Sequence, residues 1–117
     1  MTMYKKEVGA WGENTAADWL AEQGYQIIGR NIRTPYGEID IIAKQENVTI
    51  FVEVKTLTSS REFFPEKNIT PKKQQHMLNA AQYYCAEHEI DHFQIDAIAV
   101  EGKPGTKPTI THFKNAV

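Results

Sequence analysis

Apolar positions along this chain recur at two different periods, and each change of period marks an element. Over residues 5–23, Trp11, Thr15, Ala16, Trp19 and Leu20 fall at the helical spacing, and Gly24 is placed to end a helix. Residues 25–28 form a short β-prone run. Residues 38–43 and 48–56 form stronger ones, and the polar segment 44–47 between them predicts a hairpin. LTSSREFFPEKN at 57–68 reads as a loop because Ser59, Ser60 and Pro65 interrupt any regular pattern. Thr70 suits an N-cap and Pro71 the first helical position. Met77, Ala80, Ala81, Tyr84 and Cys85 then make the apolar stripe of a second helix. The nearly continuous apolar run 93–100 predicts a buried strand. GKPGTKP is a turn, and residues 109–113 form a last strand at a sheet edge. The order α-β-β-β-α-β-β predicts an α/β fold, a mixed central sheet flanked by helices.

A length of 117 residues bounds this to one domain, 1–117, with one core region. The single cysteine, Cys85, excludes an intramolecular disulfide and fits a reducing compartment. No apolar run reaches membrane-spanning length, and MTMYKKEVGAWGE lacks the apolar stretch of a secretory signal, so the expected location is cytoplasmic. The net charge of −2 excludes a uniformly basic nucleic-acid binder. Its distribution is uneven. Residues 86–101 carry five acids and no Lys or Arg, whereas 55–73 carry Lys55, Arg61, Lys67, Lys72 and Lys73 against two acids. A local basic face and ordinary solvated charge both fit this pattern.

The stretch GEIDIIAKQENVTIFVEVK, from Gly37 to Lys55, changes the picture most. It places Asp40, Glu53 and Lys55 inside apolar strand runs. Strand side chains alternate faces, so Glu38, Asp40 and Ile42 share one face, and Phe51, Glu53 and Lys55 share one on the next strand. A hairpin brings Asp40 near Glu53 and Lys55. Two carboxylates about 4 Å apart repel by roughly 4 kcal/mol at an effective dielectric near 20, and a raised pKa, a basic partner or a metal must offset this. A hard cation such as Mg²⁺ or Mn²⁺ prefers oxygen ligands. Asp40, Glu53 and the Val54 carbonyl supply them, and Lys55 is placed to hold water or a phosphate. A solvated surface pair, Glu53 with Lys55, is the ordinary alternative.

These segments resemble a known family. GAWGENTAADWL at 9–20, GRNIRTPYGEIDIIA at 29–43, FVEVKTL at 51–57, ITPKKQQHMLNAAQYY from Ile69 and QIDAIAV from Gln94 are similar, in order, to motifs of the YraN family. That family belongs to the restriction-endonuclease-like, PD-(D/E)xK group, related to archaeal Holliday-junction resolvases. The resemblance implies an αβββαβ core. It implies Glu13 as the helix acid of a metal site, Asp40 as the metal-binding aspartate, Glu53 and Lys55 as the Glu-x-Lys pair, and Lys73 as the helix lysine. Leu57 and Gln94 stand where the family usually carries arginine, which puts substrate grip there in doubt.

The remaining candidates rank below these. Gly9 and Gly12 let the first helix approach the sheet around Glu13. Glu38 supports Asp40 or pairs with Arg30 or Arg33. Lys72, Lys73, Arg61 and Arg33 are candidate nucleic-acid contacts, and a helix N-terminus itself favours phosphate. Phe63 and Phe64 beside Arg61 suit base stacking, packing or a dimer contact. Cys85, His88 and His92, with His76, do not complete a zinc motif. Trp11 and Trp19 are core residues. The expected function is a metal-dependent nuclease hydrolysing phosphodiester bonds in DNA, with branched or structured DNA among its substrates. Its cofactor is Mg²⁺ or Mn²⁺, and a homodimer is compatible with this. A non-catalytic nucleic-acid-binding or protein-interaction module retaining the fold is the alternative.

Overall fold

A computed structural model describes residues 2–58 and 68–117, with side chains from Lys5 onward. The elements are α1 (Thr2–Glu22), β1 (Gln26–Thr34), β2 (Gly37–Gln45), β3 (Val48–Leu57), α2 (Pro71–His88), β4 (Phe93–Glu101) and β5 (Thr109–Phe113). The five strands form one mixed sheet in the order β1-β2-β3-β4-β5. Pairing is antiparallel except between β3 and β4, which run parallel. Parallel neighbours need a crossover, and α2 lies in it. The α/β order and mixed sheet expected from the periodicity are what the chain adopts.

Each helix covers one face. Under α1, Ala16, Ala17 and Leu20 pack on Ile41, Ala43, Ile50, Val52, Ile98 and Val100. Under α2, Ala80, Ala81 and Cys85 pack on Ile39, Ile42, Phe51 and Ile95. The central strands are therefore apolar on both sides, which is why 48–54 and 95–100 read as nearly continuous hydrophobic runs. Trp11 and Trp19 pack against the α1-side cluster, as expected. Gly12 sets the approach of α1, because a Cβ there would collide with the Thr56 side chain on β3. Gly9 has open space where its Cβ would be, so the close approach rests on Gly12 and not on both glycines.

Helix α2 starts where the sequence places it. Thr70 Oγ1 accepts the Lys73 N–H at 3.1 Å, and Pro71 occupies the first turn. The helix closes on Glu89 in the left-handed conformation.

Three features depart from the sequence reading. Strand β1 runs to Thr34, well past the 25–28 run, although Gly29, Arg30, Asn31 and Arg33 carry no strand pattern. Pairing with β2 overrides local propensity there, and the ladder shifts register between Ile27 and Gly29. Leu57 is half-buried and packs with Ile69, Ala97 and Ala99. Gln94 Nε2 donates to Asp96 Oδ1 at 2.9 Å. The first of these side chains serves packing and the second a buried polar network.

That network lies under α1. Asp96 is fully buried, and its Oδ2 lies 2.7 Å from His112 Nε2 while its Oδ1 also accepts the Asn115 N–H at 3.0 Å. Trp19 and Tyr25 meet the His112 ring edge-on, with centroids 5.5 and 5.9 Å away. One carboxylate thus ties β4, β5 and the C-terminal residues together. Among the described residues no helix is long and apolar enough to cross a membrane.

Candidate metal centre

The site forms where the sheet opens. The β2–β3 ladder starts at Gln45↔Val48 beside the turn and runs to Ile41↔Val52. One step further Asp40 would face Glu53, but the ladder has ended. Instead Asp40 Oδ2 accepts the Val54 N–H at 2.8 Å, so a side chain takes the place of a strand carbonyl. The N–H and C=O of one strand residue lie on the same edge, so the Val54 carbonyl opens toward Asp40. Alternation breaks at the same point. Ile39 joins Ile42 in the α2-side cluster, while Ile41 lies in the α1-side one. Glu38 and Asp40 nonetheless line one cleft together with α2 residues.

A cleft occupies this gap. Its lining runs from Tyr36 to Asp40 on the first hairpin, across Phe51 to Glu53 on β3, to Lys73, His76 and Met77 on α2. Lys73 Nζ lies 3.3 Å from Glu53 Oε2. Lys73, expected to face phosphate, thus has its ammonium on a carboxylate. Lys55 is exposed two residues beyond Glu53, and it is not among the cleft's lining residues. Among the described residues the ammonium in contact with Glu53 is that of Lys73.

Glu13 reaches the site from α1 through an intermediary that the sequence reading missed. Asn31 Nδ2 donates to Glu13 Oε1 at 2.9 Å and to Glu38 Oε1 at 3.3 Å. Glu38 thus accepts an amide from β1, with Arg33 as its ladder partner. Asn31 sits at φ 50, a left-handed conformation that Asn tolerates better than most residues. An Asn inside a polar strand end was the available signal, but its value depends on which carboxylates the fold sets beside it.

The electrostatics record the crowding. Burial, then the nearby Glu53 and Glu13 carboxylates, push Asp40 up from 3.8 to about 7, although the Val54 N–H and Lys73 ammonium pull it down. A cluster in which a carboxyl holds its proton near neutrality lacks positive charge. Among the described residues no three His, Cys, Asp or Glu side chains form a ready-made metal cage. The donors present are oxygens: Asp40, Glu53, the Val54 carbonyl and, nearby, Glu13. That set fits Mg²⁺ or Mn²⁺, which are held by one or two carboxylates plus water and substrate phosphate rather than by a full protein cage.

The other candidates fall as follows. Lys72 is exposed in the first turn of α2, and Arg33 is exposed opposite Glu38 in the β1–β2 ladder. Arg61, Phe63 and Phe64 lie outside the described residues. Cys85 is buried in the α2 stripe, and His88 hydrogen-bonds the Tyr84 carbonyl at 3.0 Å while stacking on its ring. These contacts serve the helix rather than zinc.

Known proteins share this sequence pattern. The family model described as uncharacterised protein family UPF0102 matches residues 12–100. A UPF0102 protein of Syntrophotalea carbinolica is 42% identical over 118 residues, covering 99% of this chain and 95% of its own length. One from Dehalococcoides mccartyi is 36% identical over 120 residues, covering 100% and 98%. One from Lachnoclostridium phytofermentans is 49% identical over 88 residues, covering 75% of each. These names state a family and no activity.

Proposed function

This chain belongs to the UPF0102 family, and on that premise we propose that it is a divalent-metal-dependent nuclease hydrolysing phosphodiester bonds in DNA. The observation that carries the reading is the meeting of Asp40, Glu53 and the Val54 main chain where β2 parts from β3. Asp40, Glu53 and the Val54 carbonyl would hold Mg²⁺ or Mn²⁺, with Glu13 behind them. The ion would supply Lewis-acid polarisation of a phosphoryl oxygen and a more acidic water.

The chain's own groups do the rest. Asp40 is anchored through Val54 N–H, which holds one carboxylate oxygen and leaves the other toward the cleft. Lys73 sits close enough to Glu53 to exchange that partner for a substrate phosphate once the carboxylate is otherwise neutralised. Lys55 and Lys72, both exposed, are placed to meet the DNA backbone at the rim. Phosphate contacts of this kind make binding steeply salt-dependent.

One observation favours a second reading, a non-catalytic module of the same fold. Lys73 already offsets the charge of Glu53. Calorimetry with Mn²⁺ separates the two. Binding that disappears in Asp40→Asn supports the nuclease, and no binding by the parent protein removes it. Cleavage of linear, flapped and four-way DNA with Mn²⁺ follows, with Lys55→Ala and Glu53→Gln as controls. Cleavage equal in all three preparations would mark a contaminant.

A further inference from the structure

Four large apolar side chains are exposed among the described residues: Ile28, Tyr36, Tyr83 and Val117. Two of them meet. Tyr36, in the β1–β2 turn, and Tyr83, on α2, contact edge to face, with centroids 6.3 Å apart and planes at 64°. Tyr36 also lines the cleft that holds Asp40, Glu53 and Lys73. We propose that Tyr36 is a stacking platform for one unpaired base next to the scissile phosphate, so that the substrate is DNA with a single-stranded or displaced nucleotide at the cut. This deepens the nuclease reading and rests on it.

The turn is built to hold the ring still. Thr34 and Gly37 close it as ladder partners, and Gly37 takes φ 129. Thr34 Oγ1 accepts the Tyr36 N–H at 3.0 Å and donates to the Gly37 carbonyl at 2.7 Å. Pro35 removes further backbone freedom. The Glu87 carboxylate beside Tyr83 pushes the Tyr83 hydroxyl up from its ordinary value. An edge-to-face contact uses at most one face of Tyr36, and the residue as a whole is 46% exposed.

The occupant follows from what flanks the ring. The cleft floor is acidic, with the cation of Lys73 and the imidazole of His76 on the α2 wall. A phosphodiester bridged by a cation fits the floor, and the base attached to it projects to the rim. Bases of an intact duplex stack on each other and show only their edges, so only an unpaired base offers its face to Tyr36. Stacking on an aromatic ring is tolerant of base identity, so the platform selects structure and not sequence.

The test uses the full chain with Ca²⁺ and a short single strand carrying 2-aminopurine, against the same oligonucleotide as duplex, at one salt concentration. Stacking quenches the probe. The expected result is quenching with the parent protein, and its loss in Tyr36→Ala together with roughly tenfold to hundredfold weaker single-strand binding, while duplex binding is unchanged. Tyr36→Trp keeps the quench, Tyr36→Leu does not, and circular dichroism verifies that each variant is folded. Equal quenching and affinity in Tyr36→Ala would overturn the proposal. Binding to both forms alike, weakened by Lys73→Ala but not by Tyr36→Ala, would overturn it while leaving the nuclease reading standing. No binding to either form by the parent protein would remove both.

Discussion

At the scale of single residues, Asp40 carries the most information. Its carboxyl is raised from 3.8 to about 7, chiefly by burial and then by Glu53. Between those values the folded protein binds more protons than the unfolded chain. The contribution of Asp40 to stability is therefore fully present below about pH 4 and is lost as pH rises through about 7. In chelator, thermal melts should give a lower melting temperature at about pH 8 than at about pH 5, and Asp40→Asn should flatten that difference and be the more stable protein at the higher pH. A parent protein whose metal-free stability is the same at both would contradict the crowding described here. Asp96 is a satisfied buried acceptor of Gln94, His112 and Asn115. Asp96→Ala strands those partners and should cost about 3–5 kcal/mol in denaturant titrations. The sequence singled out Asp40 as a candidate ligand and gave Asp96 no role. Apolar flanks marked both as buried, and only the partners decide that one is strained and the other is paired.

At the scale of elements, legibility follows how local the determinants are. Helix α2 was readable to its first residue because Thr70 and Pro71 act within one turn. Strands β3 and β4 were readable because both faces are covered and the apolar run is continuous. The second half of β1 was not, since its strand conformation is imposed by the β2 ladder against a polar sequence. The α1–β3 contact depends on one position. Gly12→Ala gains about 1 kcal/mol of helix propensity. It also forces a methyl into Thr56, and overpacking typically costs about 1–3 kcal/mol. The net expectation is destabilisation, partly recovered in Gly12→Ala with Thr56→Ala, which removes the atom in direct collision. A neutral single variant, measured by chemical denaturation, would show that α1 can draw back from the sheet.

At the scale of the molecule, the sheet is continuous except where β2 leaves β3, and the candidate centre sits in that opening with α2 as its second wall. An ion bound by the proposed ligands would cross-link β2 and β3, with Glu13 of α1 alongside, in the folded state alone. Mn²⁺ at about 100 times its Kd should stabilise the chain by about 2.7 kcal/mol, a rise of roughly ten degrees in melting temperature for a domain of this size. Asp40→Asn and Glu53→Gln should each abolish most of that rise. An equal rise in all three proteins would place the ion elsewhere.

The sequence by itself determined the order of the elements, the two buried central strands, the N-cap of α2 and the hairpin that brings Asp40 near Glu53. Each of these depends on spacing along the chain, and periods and turns act over a few residues. Tertiary structure alone decided that the ladder opens at Asp40, that Lys73 rather than Lys55 stands on Glu53, that Asn31 bridges Glu13 and Glu38, and that Tyr36 meets Tyr83 at the rim. Those are contacts between residues distant in the chain, and their geometry is set by how two helices pack on opposite faces of one twisted sheet. No local pattern encodes that packing.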